Sequence, residues 1–322
     1  MLLHPEIAAL RGDDTPQREA QAALTAAREG WNARPDTCAI LADLARFADP
    51  AVGLADCLAL GALFVAGATQ ARDWVAALIA ALVPALAGAP LGQMPLRHFT
   101  NGVTSTLLLG RVGEATLALV AVDGAVMAQQ ALGPSVNFAP LECWEVVLAG
   151  CGEAEVVTCD EPGAELVRLD RAVVSLTPGR ILARDGAYQA SRLRRIDGCL
   201  VALRLQRRAR CGGVAYEYDI ASGRLLHRAA GVMRESRHAL MVNLLGRMGR
   251  VDAAPVLAEI AGEPASDDLR WQALREGLGL DTARGFAALN RVARMPADPL
   301  AAAAAALLRQ LVERHPALAA LA

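Results

Sequence analysis

The chain is predicted to be α+β, with an antiparallel β-barrel or sandwich of short strands between two α-helical segments. Three features predict this. Up to about residue 93, Ala and Leu recur at helical spacing. From about residue 96, β-branched runs are broken by Gly or Pro-Gly roughly every 8–12 residues, and from about residue 236 helical spacing returns. A length of 322 residues leaves room for two or three cores. The expected division is an α-helical domain over 1–93, a β-barrel domain over 94–232 and a domain of α-helical hairpins over 233–322.

In the first segment, "TPQREAQAALTAAREGW" offers Thr15 as N-cap and Pro16 in the first turn. "PDTCAILADLARFADP" predicts a second helix ended by Pro50, and the apolar stretches 53–69 and 74–90 predict two more. Trp31 and Trp74 are read as core anchors. The stretch "WVAALIAALVPALAGAPLG" over 74–92 is long and uncharged enough to span a bilayer. Its Ala content, Pro84 in its middle and the preceding Arg72 and Asp73 favour instead a buried core helix, kinked or ended near Pro84.

In the second segment, "STLLLGRVGEATLALVAVDG" has two apolar runs separated by Gly113-Glu114, the layout of a hairpin. "WEVVLAG", "AEVVTCD", "AVVSLTPGRILARDG", "SRLRRIDGCLVALRLQRRA" and "VAYEYDIASGRLLHRA" supply the other strands. Strand alternation puts Val201, Leu203 and Leu205 on one face and Arg204, Gln206, Arg208 and Arg210 on the other. Arg192 and Arg194 make a similar pair in the strand before. Glu153 with Glu155, and Glu217 with Asp219, are acid pairs at strand spacing, and solvated faces are expected for both.

In the third segment, Ser236, Ser266 and Ala297 precede similar helices. The repeat of about 30 residues sets Leu244 over Leu274 and Met248 over Leu278. It resembles the helical hairpins of HEAT-like solenoids, in which each pair buries a face against its neighbour.

Composition removes whole classes of chemistry. All 32 basic residues are arginine. Without a lysine amine there is no Schiff base to a carbonyl substrate or to pyridoxal phosphate, and no P-loop or kinase lysine to hold a nucleotide phosphate. Neither a Gly-x-Ser-x-Gly elbow nor a Gly-x-Gly-x-x-Gly fingerprint is present. The formal charge of −2 hides an asymmetry: residues 1–167 carry 8 Arg against 19 acids, residues 168–234 carry 14 Arg against 5, and residues 235–322 carry 10 of each. Such blocks predict charged faces that meet one another, another subunit or an anionic ligand. The seven scattered cysteines (Cys38, Cys57, Cys143, Cys151, Cys159, Cys199 and Cys211) do not suggest a disulfide framework. "MLLHPEIAALRGDD" lacks a basic stretch followed by an apolar one, so no signal peptide is expected. Reduced thiols, a cytoplasmic location and no membrane association are the expectation.

Two motifs carry a family resemblance. "EVVLAGCGEAEVV" has a strand–Gly–strand form and "LDRAVVSLTPGRIL" a Pro-Gly turn, and in that order they resemble the two motifs of the cupins, small jelly-roll barrels. The resemblance covers about 100 of the 322 residues. It implies an antiparallel cupin-like β-barrel and, in metal-dependent members, two histidines one residue apart and then a glutamate before the first strand. A third histidine would follow the Pro-Gly turn. Here the histidine positions fall near Asn137 and Ala139, and the glutamate position near Cys143, with Glu142 one residue off. "RILARDG" follows Pro178-Gly179 without a histidine. Asn and Ala offer none of the imidazole nitrogens that Zn or Fe favours, so a metal-free barrel without a cofactor is expected. Cupins commonly pair, which implies a homodimer.

The function expected on this reading is non-enzymatic: a bacterial-type binding or regulatory protein that meets a protein partner or a small anionic ligand. The ligand residues expected in the barrel mouth are Asn137, Trp144, His98 and Arg204. Arg192, Arg194, Arg208 and Arg210 are expected to bind an anion or to form an interface, foremost with the acidic N-terminal helices. Nucleic acid is not expected, because aromatics are few here and the chain is slightly acidic. The alternative is a cupin-type metalloenzyme, an oxygenase or isomerase, with a non-standard metal site using His98 and His227.

Overall fold

The structure, a computed structural model, describes residues 12–67, 69–208, 213–231 and 233–321. Arg210 and Cys211 lie outside the described residues. The chain is α+β, with an antiparallel sheet between helices at both ends, as expected. It divides into two compact units. One comprises Met1–Val136, Leu141–Pro162 and Val167–Arg208, the other Asn137–Pro140, Gly163–Leu166 and Ala209–Ala322.

The first unit begins with α1 (Thr15–Asn32), whose N-cap is Asp14, one residue before the expected Thr15. Helix α2 (Pro35–Phe47) opens on a proline and ends before Pro50. The apolar stretch 53–69 is not a helix of full length. It breaks into single turns at Leu54–Asp56, Leu58–Gly61 and Ala62–Phe64. Helix α3 (Gln70–Gly88) runs through Pro84. It buries Ala71, Trp74, Val75, Leu78 and Leu82, while Ile79 and Val83 are exposed, so the expected core helix is buried on one face only. Trp31 and Trp74 are buried anchors, their rings 4.9 Å apart, and Trp74 Nε1 donates to the buried Thr37 hydroxyl at 3.0 Å.

The sheet of this unit contains β1 (His98–Thr100), β2 (Thr104–Val112), β3 (Ala115–Asp123), β5 (Leu141–Cys159), β6 (Leu169–Leu176), β7 (Ile181–Asp185) and β8 (Gln189–Arg208). Its order is β1-β2-β3-β8-β5-β6, with β7 also paired to β5. The β2–β3 hairpin turns at Gly113-Glu114 as expected, Gly113 taking φ +53°. "WEVVLAG" and "AEVVTCD" are not two strands but the halves of β5, and the stretch through Gly198 is likewise one strand, β8. Gly150 bends rather than ends β5. It takes φ +82°, and a Cβ there would meet the Cys199 carbonyl oxygen at 2.1 Å. The ladder slips register on both sides of Ala149, as β-bulges do where a sheet must turn. The first half of β5 therefore pairs with β7 and the end of β8, and its second half with β6 and the start of β8.

The bend gives the sheet two apolar layers. Leu117, Val146, Leu148, Leu203 and Leu205 join Trp31, Phe47 and Trp74 in one core, so helices and sheet are held by shared burial. Val120, Val122, Val147, Leu176, Ile196 and Leu200 form a second core on the opposite face.

The second unit holds β9 (Val214–Asp219), β10 (Leu225–Ala230) and the end of β4 (Ser135–Phe138) from Asn137 on, and the short sheet has the order β10-β9-β4. Tyr218 is fully buried there; its hydroxyl accepts from the Gly163 amide at 2.7 Å and donates to the Ala164 carbonyl at 3.1 Å. Helices α4 (Met233–Arg247), α5 (Ala254–Ile260), α6 (Asp267–Leu280), α7 (Thr282–Ala293) and α8 (Ala301–Arg314) follow. Ser266 is the N-cap of α6, but Ser236 lies inside α4. The positions expected to be equivalent differ in burial: Leu274 is in the core, whereas Leu244 and Met248 are exposed.

Candidate functional site

Against the second apolar layer of the sheet lies a cavity of about 260 Å³. One part of its wall is aliphatic: Val120, Val122, Val147, Leu176, Leu182 and Leu200, with Leu193 and Ala202. The rest is polar and comes from three neighbouring strands, with Glu145 from β5, Arg184 from β7, and Ser191, Arg204 and Gln206 from β8. Register explains the cluster. Glu145 stands opposite Arg204, and Cys143 stands opposite both Gln206 and Arg184, so alternation brings these side chains to one face.

Glu145 is clasped by two guanidiniums. Arg204 Nε donates to its Oε1 at 2.6 Å, and Arg184 Nη2 donates to its Oε2. Arg184 Nη2 also approaches Cys143 Sγ at 3.5 Å, and Gln206 Nε2 approaches the same sulfur at 3.7 Å. Burial works against the charge of Glu145, but Arg204 and Arg184 outweigh it and hold the carboxyl below its ordinary range. Burial pushes the Cys143 thiol up to about 11, reinforced by Glu145, so it is neutral near pH 7. The cluster thus carries two positive charges against one negative. Arg184 Nε is buried and has no hydrogen-bond partner. A buried donor without an acceptor is costly, on the order of 1–3 kcal/mol, and is a place where an acceptor would be gained.

Of the four residues expected to form one ligand site, the structure places only Arg204 in the cavity. Trp144 is on the opposite face, edge-on to Phe47 with ring centroids 5.6 Å apart, because alternation sends residue 144 away from the face of 145. His98 is exposed on the edge strand β1, its Nδ1 3.4 Å from the Leu96 carbonyl. Asn137 is exposed on β4 and belongs to the second unit. The arginine stripe does not form one surface either. Arg192 bonds Glu155 and the Gly133 carbonyl, Arg194 and Arg208 are exposed, and Arg204 points to the cavity.

Among the described residues, the acidic partners of Arg192 and Arg204 are not on the N-terminal helices. They are on β5: Glu142 pairs with Arg207, Glu145 with Arg184 and Arg204, and Glu155 with Arg171 and Arg192. Part of the opposed charge of the sequence is thus met in cross-strand pairs within one sheet. Glu155 corrects the expectation of a solvated acid pair. It is 4% exposed, since the register slip between Glu153 and Ala154 separates it from the half-buried Glu153. Sequence reasoning missed Glu145 and Arg184; the available signal was an isolated charge within the apolar strands "WEVVL" and "ILARD".

The residues present do not fit a cation. His227 is exposed on β10 in the second unit and His98 is on β1 of the first, so neither lines the cavity. Among the described residues there is no group of three or more His, Cys, Asp or Glu able to hold a metal. On the cavity wall two guanidiniums would repel a divalent ion, and the Cys143 thiol beside them is protonated.

No family model matches the chain. No curated protein matches it either. Solved structures are similar to part of it. The KdgF protein of a Halomonas species is 14% identical over 35% of this chain and 88% of its own, with a TM-score of 0.25. A sugar phosphate isomerase of the cupin superfamily from Silicibacter pomeroyi is 14% identical over 41% of this chain and 88% of its own, with a TM-score of 0.25. A cupin domain from Bordetella pertussis is 10% identical over 34% of this chain and 99% of its own, with a TM-score of 0.22.

Proposed function

We propose that this is a non-enzymatic binding or regulatory protein, cytoplasmic and built on a metal-free, cupin-like barrel whose cavity takes a small anionic ligand. The observation that carries this reading is the pair Arg184 and Arg204 on the cavity wall, set against the single carboxylate of Glu145. An anion entering there meets an excess of positive charge at low dielectric, where guanidiniums bind carboxylates and phosphates best. The test is a thermal-shift screen of small organic and inorganic anions on the full chain and on Arg204→Ala. A ligand at about a hundred times its Kd adds roughly 2.7 kcal/mol, a rise of several degrees in Tm. The rise is expected for the wild type and not for the variant. If no anion raises the wild-type Tm, the reading fails.

Self-association belongs to the same proposal, with a second copy of the chain as partner. Leu240, Met241 and Leu244 share one face of α4, Met248 directly follows the helix, and the four are 58–73% exposed, an apolar stripe of the kind that interfaces cover. Sedimentation of the wild type and of Leu244→Glu tests this: a wild-type monomer at every concentration removes it. The enzyme alternative with His98 and His227 gains no support from their placement. Near-stoichiometric iron, zinc, nickel or manganese in protein purified without chelator would restore it.

A further inference from the structure

Resting on the anion-binding reading above, we propose a ligand class for the cavity: small monocarboxylates with an apolar body, their head held by donors that Arg184 and Arg204 leave unspent. Charge sets the head group. Two guanidiniums and one carboxylate give the wall one net positive charge, and Cys143 beside them is a neutral thiol. A monoanion balances that charge. A dicarboxylate or phosphate dianion would leave a buried excess of negative charge, and a neutral amide would leave the positive charge unanswered.

Donor geometry agrees. Arg184 spends Nη2 on Glu145 and Cys143, while its buried Nε has no partner. Arg204 gives Nε and Nη2 to one oxygen of Glu145, leaving Nη1 for an incoming group. Each guanidinium can thus keep its hold on Glu145 and still donate to a second carboxylate.

The remaining wall sets the body. Val122, Val147, Leu176, Leu182, Leu193 and Leu200 offer no hydrogen bonds, and Ser191 with Gln206 supplies the uncharged polar groups. A polyhydroxy acid would bury hydroxyls against aliphatic carbon without partners. A volume of about 260 Å³ is below the roughly 300–1,000 Å³ of sites for drug-sized ligands, so the body is short or a single ring.

Isothermal titration calorimetry on the full chain tests this with benzoate, isovalerate, gluconate, succinate, inorganic phosphate and isovaleramide. Benzoate or isovalerate is expected to bind, and the other four roughly tenfold more weakly or not at all. Arg184→Gln is expected to weaken benzoate by roughly tenfold or more, and Arg184→Lys nearly as much, since an ammonium lacks the planar fork. Should the Arg184 variants not fold, Leu193→Trp fills the apolar end without touching the charges and is expected to abolish benzoate binding. Phosphate, succinate, gluconate or the amide binding as tightly as benzoate overturns the ligand class but leaves a binding cavity, and so does unchanged benzoate affinity in Leu193→Trp. Heat from none of the anions overturns the class and the anion-binding reading together.

Discussion

Glu145 and Arg204 stand directly opposite each other in the β5–β8 ladder and close to 2.6 Å, a carboxylate and a guanidinium turned away from the helices and toward the cavity. Such a pair contributes little net stability by existing, yet much is lost when one partner is stranded. Glu145→Gln and Arg204→Gln are each expected to destabilise by about 2–3 kcal/mol, the double variant by less than their sum, with a coupling energy of about 1–2 kcal/mol. Urea unfolding of the four proteins measures it. Additive losses would mean that the two side chains do not depend on each other.

The same pair sets an acid limit. Burial alone would raise Glu145, but the attraction of Arg204 and Arg184 lowers it below the unfolded value of about 4.3. A depressed folded pKa gives stability that is full above the unfolded value and is lost as pH falls through the folded one. Asp298, lowered chiefly by its hydrogen bond to Arg270, acts in the same direction in the second unit. Unfolding midpoints are therefore expected to be flat from about pH 7 to 5 and to fall below about pH 4, with a shallower fall in Glu145→Gln. An equal fall in that variant would assign the acid sensitivity elsewhere.

Gly150 makes the bend on which the cavity depends. Its φ of +82° disfavours any side chain, and an added Cβ would collide with the Cys199 backbone carbonyl. Gly150→Ala is expected to cost about 3 kcal/mol or more, from strain and steric conflict together. Gly133→Ala, where a Cβ meets nothing within 4 Å, is the matched control and is expected to stay within about 0.5 kcal/mol of the wild type. Thermal or urea melts distinguish them, and equal losses would show that β5 does not need its bend.

The sequence made some of this legible and hid the rest for physical reasons. The turn at Gly113-Glu114 was readable because a two-residue hairpin leaves a local mark. Gly150 gave the same mark and meant the opposite: a bulge and a turn both call for glycine, and only the partners of the flanking residues tell them apart. Alternation correctly separated Val201, Leu203 and Leu205 from Arg204 and Gln206. It says nothing about which face the helices cover, so Trp144 is expected beside Arg204 in one ligand site although the two lie on opposite faces. Arg184 comes beside Glu145 only because β7, which follows β6 after the Pro178-Gly179 turn, pairs with β5, a long-range register that periodicity does not encode.

The thiols offer a chemical readout of the layers. Cys38, Cys151 and Cys199 are exposed, whereas Cys57, Cys143 and Cys159 are buried with burial the first cause of raised thiol pKa values. At pH 8 the exposed three are expected to be alkylated by iodoacetamide within minutes and the buried three only after denaturation, read peptide by peptide by mass spectrometry. For Cys143, raised to about 11, the sign is the reverse of the carboxylates: its contribution is full below the unfolded value of about 8.5 and is lost as pH rises toward 11. Rapid labelling of Cys143 in the folded protein would contradict its placement behind Arg184 and Gln206.

Arg207 ties the sheet to the segment that follows α2. Its Nη1 donates to the carbonyls of Phe47, Asp49 and Val52 at 2.7–2.8 Å, its Nε donates to Glu142 at 2.6 Å, and its guanidinium lies 4.1 Å above the Phe47 ring. Those carbonyls end a helix and begin a turn without regular backbone partners for all of them, so a buried cation replaces the water they would otherwise need. Arg207→Met keeps the apolar stem but strands Glu142 and the carbonyls, and is expected to cost about 3 kcal/mol. Arg207→Lys restores charge near the carbonyls but cannot also reach Glu142 and cover the ring, so it is expected to recover less than half of the loss. Because the loss is local, limited proteolysis of Arg207→Met is expected to cut first between residues 48 and 53, ahead of global unfolding. Cleavage spread evenly along the chain would mean that Arg207 stabilises the unit as a whole and does not pin this segment.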